Sequence, residues 1–92
     1  MDHVRAHVLI DGRVQGVNFR AHTREQARAS GVKGWVKNLD DGRVEAVFEG
    51  SREAVQRVVG WCYGGPSPAR VERVEVEWEQ PTGEERDFRI VW

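Results

Sequence analysis

Gly12-Arg13-Val14-Gln15-Gly16-Val17-Asn18-Phe19-Arg20 marks the place where one hydrophobic period gives way to another. Before it, Val4, Ala6, Val8 and Ile10 alternate with His3, Arg5, His7 and Leu9, the two-residue period of a strand with one buried face. After it, Phe19, Thr23 and Ala27 recur at four-residue spacing, and Gly31 offers a C-terminal stop, so Phe19 to Ser30 reads as a narrow-faced helix. Two roles fit the loop between them. Gly12 and Gly16 can be plain turn residues with Arg20 a solvated charge; such short glycine patterns match often. Alternatively, glycine lets successive backbone N–H groups converge on an anion, and the helix N-terminus adds unpaired donors and a partial positive charge. Arg20, in the first helical turn, leans back toward that loop.

Outward from this junction, Val32 to Leu39 and Arg43 to Glu49 read as two strands joined at the turn Asp40-Asp41-Gly42. Arg52 to Tyr63 carries one apolar stripe of Ala54, Val55, Val58, Val59 and Cys62; Ser51 can cap its first turn, and Gly64-Gly65-Pro66 ends it. Val74, Val76 and Trp78 then alternate with Arg73, Glu75, Glu77 and Glu79, giving a fourth strand with one acidic face. Phe88, Ile90 and Trp92 alternate again as a short fifth strand, whose Arg86 and Arg89 are expected to offset that acidic face. The order is βαββαβ plus a C-terminal strand. It predicts an α+β, ferredoxin-like α/β sandwich with two helices on one face of an antiparallel sheet.

Ninety-two residues fit one domain, residues 1–92, without room for a second core. Lys+Arg of 14 against Asp+Glu of 15 gives no overall field for nucleic acid or acidic membranes. Between residues 12 and 38, however, Arg13, Arg20, Arg24, Arg28, Lys33 and Lys37 face Glu25 alone, which suits a small anion; Arg24 and Arg28 read as the solvated side of the helix. The single cysteine, Cys62, excludes an intrachain disulfide and reads as a core filler in a reducing compartment. Asp2, His3, Arg5 and His7 interrupt the apolar core a secretion signal needs, so the expected location is the cytoplasm.

A right-handed crossover makes the first and second strands parallel, so the loop after the first and the end of the second share one sheet edge. With the third strand between them, the two lie roughly 9 to 10 Å apart, a gap that one arginine and one phosphate can fill. Arg20 and Asn38 then meet across a ligand despite 18 positions of separation.

Gly12 to Arg20 resembles the G-x-V-Q-G-V-x-F-R motif of acylphosphatases, and Gly34-Trp35-Val36-Lys37-Asn38 with Gly42, Val44 and Gly50 resembles their second motif. The resemblance extends over essentially the whole chain and implies the same ferredoxin-like fold. It makes Arg20 the phosphate-binding arginine and Asn38 the residue that orients the attacking water. Backbone amides of Val14, Gln15, Gly16, Val17, Asn18 and Phe19 would form the phosphate cradle. It also implies a monomer that hydrolyses a small acyl phosphate, with inorganic phosphate as product and inhibitor and with no metal, cofactor, nucleic acid or membrane. Leu39 stands where many relatives have a small hydroxyl residue.

The chemistry agrees with so small a set of residues. A carboxylate leaving group is stable as an anion, so no general acid is required, and phosphoryl transfer rests on positioning and electrostatics. Arginine supplies a planar fork for two phosphate oxygens, and asparagine holds water without placing a negative charge beside the anion. Other candidates are weaker. His3 and His7 share a strand face but sit roughly 13 Å apart, too far to chelate one metal. Asp40 and Asp41 read as turn residues. His22 shows no carboxylate partner in its own turn, and the tryptophans at 35, 61, 78 and 92 read as packing or rim residues. A binding module is the rival class. RNA-binding sheets need exposed aromatics and cations, whereas Glu45, Glu49 and the acidic fourth strand would repel a polyanion.

Overall fold

The computed structural model describes residues 2–92, so Met1 lies outside the described residues. The elements are β1 (His3–Arg13), α1 (Phe19–Ala29), β2 (Lys33–Asn38), β3 (Val44–Ser51), α2 (Arg52–Cys62), β4 (Arg70–Glu79) and β5 (Phe88–Ile90). One sheet carries all strands in the order β4-β1-β3-β2-β5. β1 pairs antiparallel with both β3 and β4, and β2 antiparallel with β3, as the crossover argument requires. This is the expected ferredoxin-like α+β arrangement.

Alternation along β1 sends Val4, Ala6, Val8 and Ile10 into the core beneath the helices. Val44, Ala46 and Phe48 of β3 join them, together with Phe19, Thr23 and Ala27 of α1 and the whole expected stripe of α2. The Thr23 hydroxyl is buried harmlessly because it donates to the Phe19 carbonyl at 2.8 Å. Phe48 and Phe88 stack with ring centroids 5.5 Å apart, locking β5 onto the sheet. Burial pushes the Cys62 thiol up to about 12, which removes it as a nucleophile and leaves it as filler.

Two features differ from the sequence expectation. β5 pairs with β2, and in parallel, with Gly34 opposite Phe88 and Val36 opposite Ile90; the sheet is therefore mixed. β5 and β4 form opposite edges, so Arg86 and Arg89 do not offset the acidic face of β4. Arg5 performs that task instead, with Glu79 at 3.3 Å, Glu49 at 2.9 Å and Glu85 at 3.1 Å. The reason is topological. The segment after β4 crosses the helix-free face to reach the far edge, and Glu49 accepts hydrogen bonds from the backbone N–H groups of Thr82 and Gly83 as it passes. Arg28 lies on the solvated side of α1, as expected, and from there its guanidinium donates to the Phe88 carbonyl and pairs with the exposed Asp87, tying α1 to β5.

Candidate active site

The loop between β1 and α1 is shaped by two residues with left-handed backbone. Gly16 has φ of 76° and Asn18 has φ of 61°, the single non-glycine residue with positive φ among those described. Asparagine tolerates this region better than most side chains. Gly12 has a different job. It lies within β1 at a bulge against β4, and a Cβ there would sit 2.1 Å from the Arg70 carbonyl oxygen. It therefore admits β4 rather than a ligand.

Asn18 caps α1 by backbone alone: its side chain makes no cap bond, and no acidic residue stands in the first turn. The first-turn N–H groups keep their donor capacity. They border a cavity of about 240 Å³ whose lining includes Gln15, Gly16, Asn18, Arg20, Asn38 and Trp92. Arg20 and Asn38 thus share one cavity at the edge where the parallel β1 and β2 end. Val14 and Phe19 also line it, while Val17 packs against the core cluster instead.

The loop and the β2–β3 hairpin are held in register by a side chain. Gln15 Nε2 donates to the carbonyl oxygens of Leu39 at 2.8 Å and Arg43 at 2.9 Å, on either side of the turn. Nothing local in the sequence signals this clamp, because its acceptors lie on another element. The turn itself is fastened by Asp41, which accepts from both the backbone and the guanidinium of Arg43. Those hydrogen bonds to Arg43 hold the exposed Asp41 carboxyl below its ordinary range. Asp41 is a turn residue, as expected.

Among the described residues, no carboxylate lies within ion-pair reach of Arg20. Its guanidinium carbon lies 4.3 Å from the centroid of the Trp92 ring. Trp92 lies two residues past β5, and the parallel register carried beyond Val36–Ile90 brings it level with Asn38. The alternation of Phe88, Ile90 and Trp92 was legible in the sequence; the neighbour of that strand was not.

Remaining candidates separate from this edge. His22 Nδ1 sits 3.3 Å from Glu25 Oε1, a carboxylate partner the sequence reading overlooked, though both side chains are solvated. His7 Nε2 lies 2.6 Å from Glu45 Oε2. Ligand atoms of His7, Glu77 and Glu79 also lie within 4.8 Å of one another, a grouping that a search for histidine pairs misses because two members come from β4. The helix-free face mixes these acids with Lys33, Lys37 and Arg89. No helix of the described residues is long and apolar enough to cross a membrane.

Comparison with known proteins agrees with this architecture. The Acylphosphatase family model matches residues 6–90. An acylphosphatase from Chloroflexus aurantiacus is 71% identical over 92 residues, covering all of both chains. The crystal structure of acylphosphatase from Bacillus subtilis superposes with a TM-score of 0.93 at 36% identity, covering 97% of this chain and 99% of that one. An acylphosphatase structure from Coxiella burnetii gives 0.93 at 37% identity, with 98% and 94% covered. The chain belongs to the acylphosphatase family and is a hydrolase of acyl phosphates.

Proposed function

We propose that the chain cleaves the carboxyl–phosphate bond by in-line attack of a water aimed by Asn38 on a phosphate held by Arg20 and the Val14 to Phe19 backbone amides. The observation that supports this is the shared cavity: Arg20 and Asn38 line it together with Gln15, Gly16 and Asn18, beside a helix start without a side-chain cap. The guanidinium binds two phosphoryl oxygens, and the cradle amides take the remainder of the charge. The Asn38 carboxamide oxygen accepts a hydrogen bond from water and points its lone pair at phosphorus. As the new P–O bond forms, the P–O bond to the acyl group breaks and its electron pair leaves on the carboxylate. The water's proton passes to a phosphoryl oxygen. Neither a general acid nor a metal ion is needed at any step. The protein acts as a monomer in the cytoplasm, binds neither nucleic acid nor membrane, and is inhibited by its product phosphate.

Benzoyl phosphate hydrolysis, followed with and without a chelator, tests this. Turnover is expected to be indifferent to the chelator. Arg20→Ala should lower kcat/KM by about 10³-fold or more and weaken phosphate inhibition. Asn38→Ala should lower kcat by about 10²-fold while phosphate inhibition stays within about threefold. Normal hydrolysis by the Asn38 variant would remove its water-aiming role.

A further inference from the structure

Val74 and Val76 of β4 pack against the core, so the alternating Glu75, Glu77 and Glu79 stand together on the helix-free side of the sheet. Like charges so placed repel one another, and the neighbouring cations relieve only two of them. Arg73 pairs with Glu75 at 3.4 Å and Arg5 with Glu79 at 3.3 Å. Among the described residues, no cationic group lies within ion-pair reach of Glu77. The residue directly opposite it on β1 is His7, an imidazole rather than a fixed charge. One ligand atom from each of His7, Glu77 and Glu79 lies within 4.8 Å of the other two. His7 and Glu77 also line a pocket of about 270 Å³ on this face. Across β1 from the two glutamates stands Glu45 of β3, whose Oε2 is 2.6 Å from His7 Nε2. A ligating histidine usually gives its other ring N–H to a carboxylate, which fixes the tautomer and the ring's orientation. With the proton on Nε2 and directed at Glu45, the Nδ1 lone pair is left for a cation.

We propose that His7, Glu77 and Glu79 form a binding site for a divalent transition-metal ion of the Zn²⁺ type, with Glu45 as the positioning residue behind the imidazole. One imidazole nitrogen and two carboxylate oxygens suit such an ion better than Mg²⁺ or Ca²⁺, which take oxygen ligands alone. Tetrahedral ligands roughly 2.1 Å from one ion stand about 3.4 Å apart, so the exposed Glu77 and Glu79 side chains close the difference by rotamer adjustment without moving the sheet. Arg5 does not oppose the ion strongly, because Glu49, Glu79 and Glu85 already surround its guanidinium. The ion supplies the positive charge that Glu77 lacks and ties the edge strand β4 to β1. It takes no part in hydrolysis: the site lies on the helix-free face, apart from the cavity of Arg20 and Asn38, and turnover indifferent to a chelator is expected with or without it.

Calorimetric titration of the full chain with Zn²⁺, in buffer free of phosphate, tests the site. The parent should bind one equivalent. His7→Gln and Glu77→Gln should each weaken binding at least tenfold, and Glu45→Gln about tenfold through the ring it orients. His22→Gln, at the other histidine–carboxylate pair, should bind as the parent does. Co²⁺ in place of Zn²⁺ should give visible absorption bands that His7→Gln loses and Glu45→Gln shifts, a signature that a purely structural role for either residue would not move. Bound Zn²⁺ should also raise the Tm of the parent and leave that of Glu77→Gln unchanged. These side chains are solvated or half-buried, so each variant should keep the parent's circular dichroism. Zn²⁺ affinity unchanged in both His7→Gln and Glu77→Gln, or uptake by the parent only above about 1 mM, overturns the site.

Discussion

The two helices of this fold begin in opposite ways. At α2, the Ser51 hydroxyl oxygen accepts from the Ala54 backbone N–H at 3.3 Å, and Glu53 in the first turn complements the helix dipole. At α1, Asn18 makes no side-chain cap, the first turn holds no acid, and Arg20 adds positive charge. Local sequence is able to finish a helix, and does so at α2. The unfinished end is the one that opens on the cavity. The same contrast separates two arginines: Arg5 is enclosed by Glu49, Glu79 and Glu85, whereas Arg20 has an indole ring beside it and, among the described residues, no carboxylate within ion-pair reach. Satisfied ends and enclosed charges hold the fold, and the unsatisfied ones line the cavity proposed for the phosphate.

That contrast can be broken most sharply by finishing α1 artificially. Ala21→Glu places a carboxylate in the first turn, where it should raise helix stability by about 0.5 kcal/mol through the dipole. The same carboxylate would occupy the anion's place a few ångströms from the phosphate, and at an effective dielectric near 20 such repulsion is worth about 3 kcal/mol. The expected outcome is a variant with a higher urea midpoint whose kcat/KM has fallen by about 10²-fold; retained activity would mean that the α1 terminus does not face the substrate.

A smaller effect of opposite kind belongs to α2. Ser51→Ala should cost about 1 kcal/mol in urea unfolding and leave kcat/KM within about twofold, because that cap serves only the fold. Smallest is a pH effect at the neighbouring Glu49. Burial raises its carboxyl, but the hydrogen bond from Arg5 and those from the Thr82 and Gly83 backbone outweigh it, and the net displacement is below the ordinary 4.5. A depressed folded-state value means stability that is present above the unfolded value and is lost as pH falls through the folded one. Urea midpoints measured across that acid range should fall less steeply for Glu49→Gln than for the parent, with the variant the less stable of the two at neutral pH. Equal slopes would place the acid sensitivity elsewhere.

The helices, strands and shared edge were readable because each rests on a local period or on the handedness of one crossover. Val4, Ala6, Val8 and Ile10 declare a face by alternation alone, and the parallel relation of β1 and β2 then brings Arg20 and Asn38 together. What stayed hidden depends on neighbours that no period names. Three residues of β5 are too few to choose an edge, and the true edge moved Arg86 and Arg89 away from the acidic strand and brought Trp92 beside Arg20. Gly12 looked like part of the anion loop because it opens the motif, yet its constraint comes from the Arg70 carbonyl on a distant strand. Arg28 and Glu49 likewise gained partners only once the segment after β4 had crossed the sheet.

The Gln15 clamp carries a mechanical consequence. Displacement at phosphorus tolerates roughly 1 Å of misalignment before the rate drops by about 10²-fold. One carboxamide, gripping the carbonyls on both flanks of a turn, converts two chain segments into a single rigid jig. The load of alignment thereby shifts from the hairpin tip, which Asp41 and the left-handed Gly42 still shape, to a single amide group.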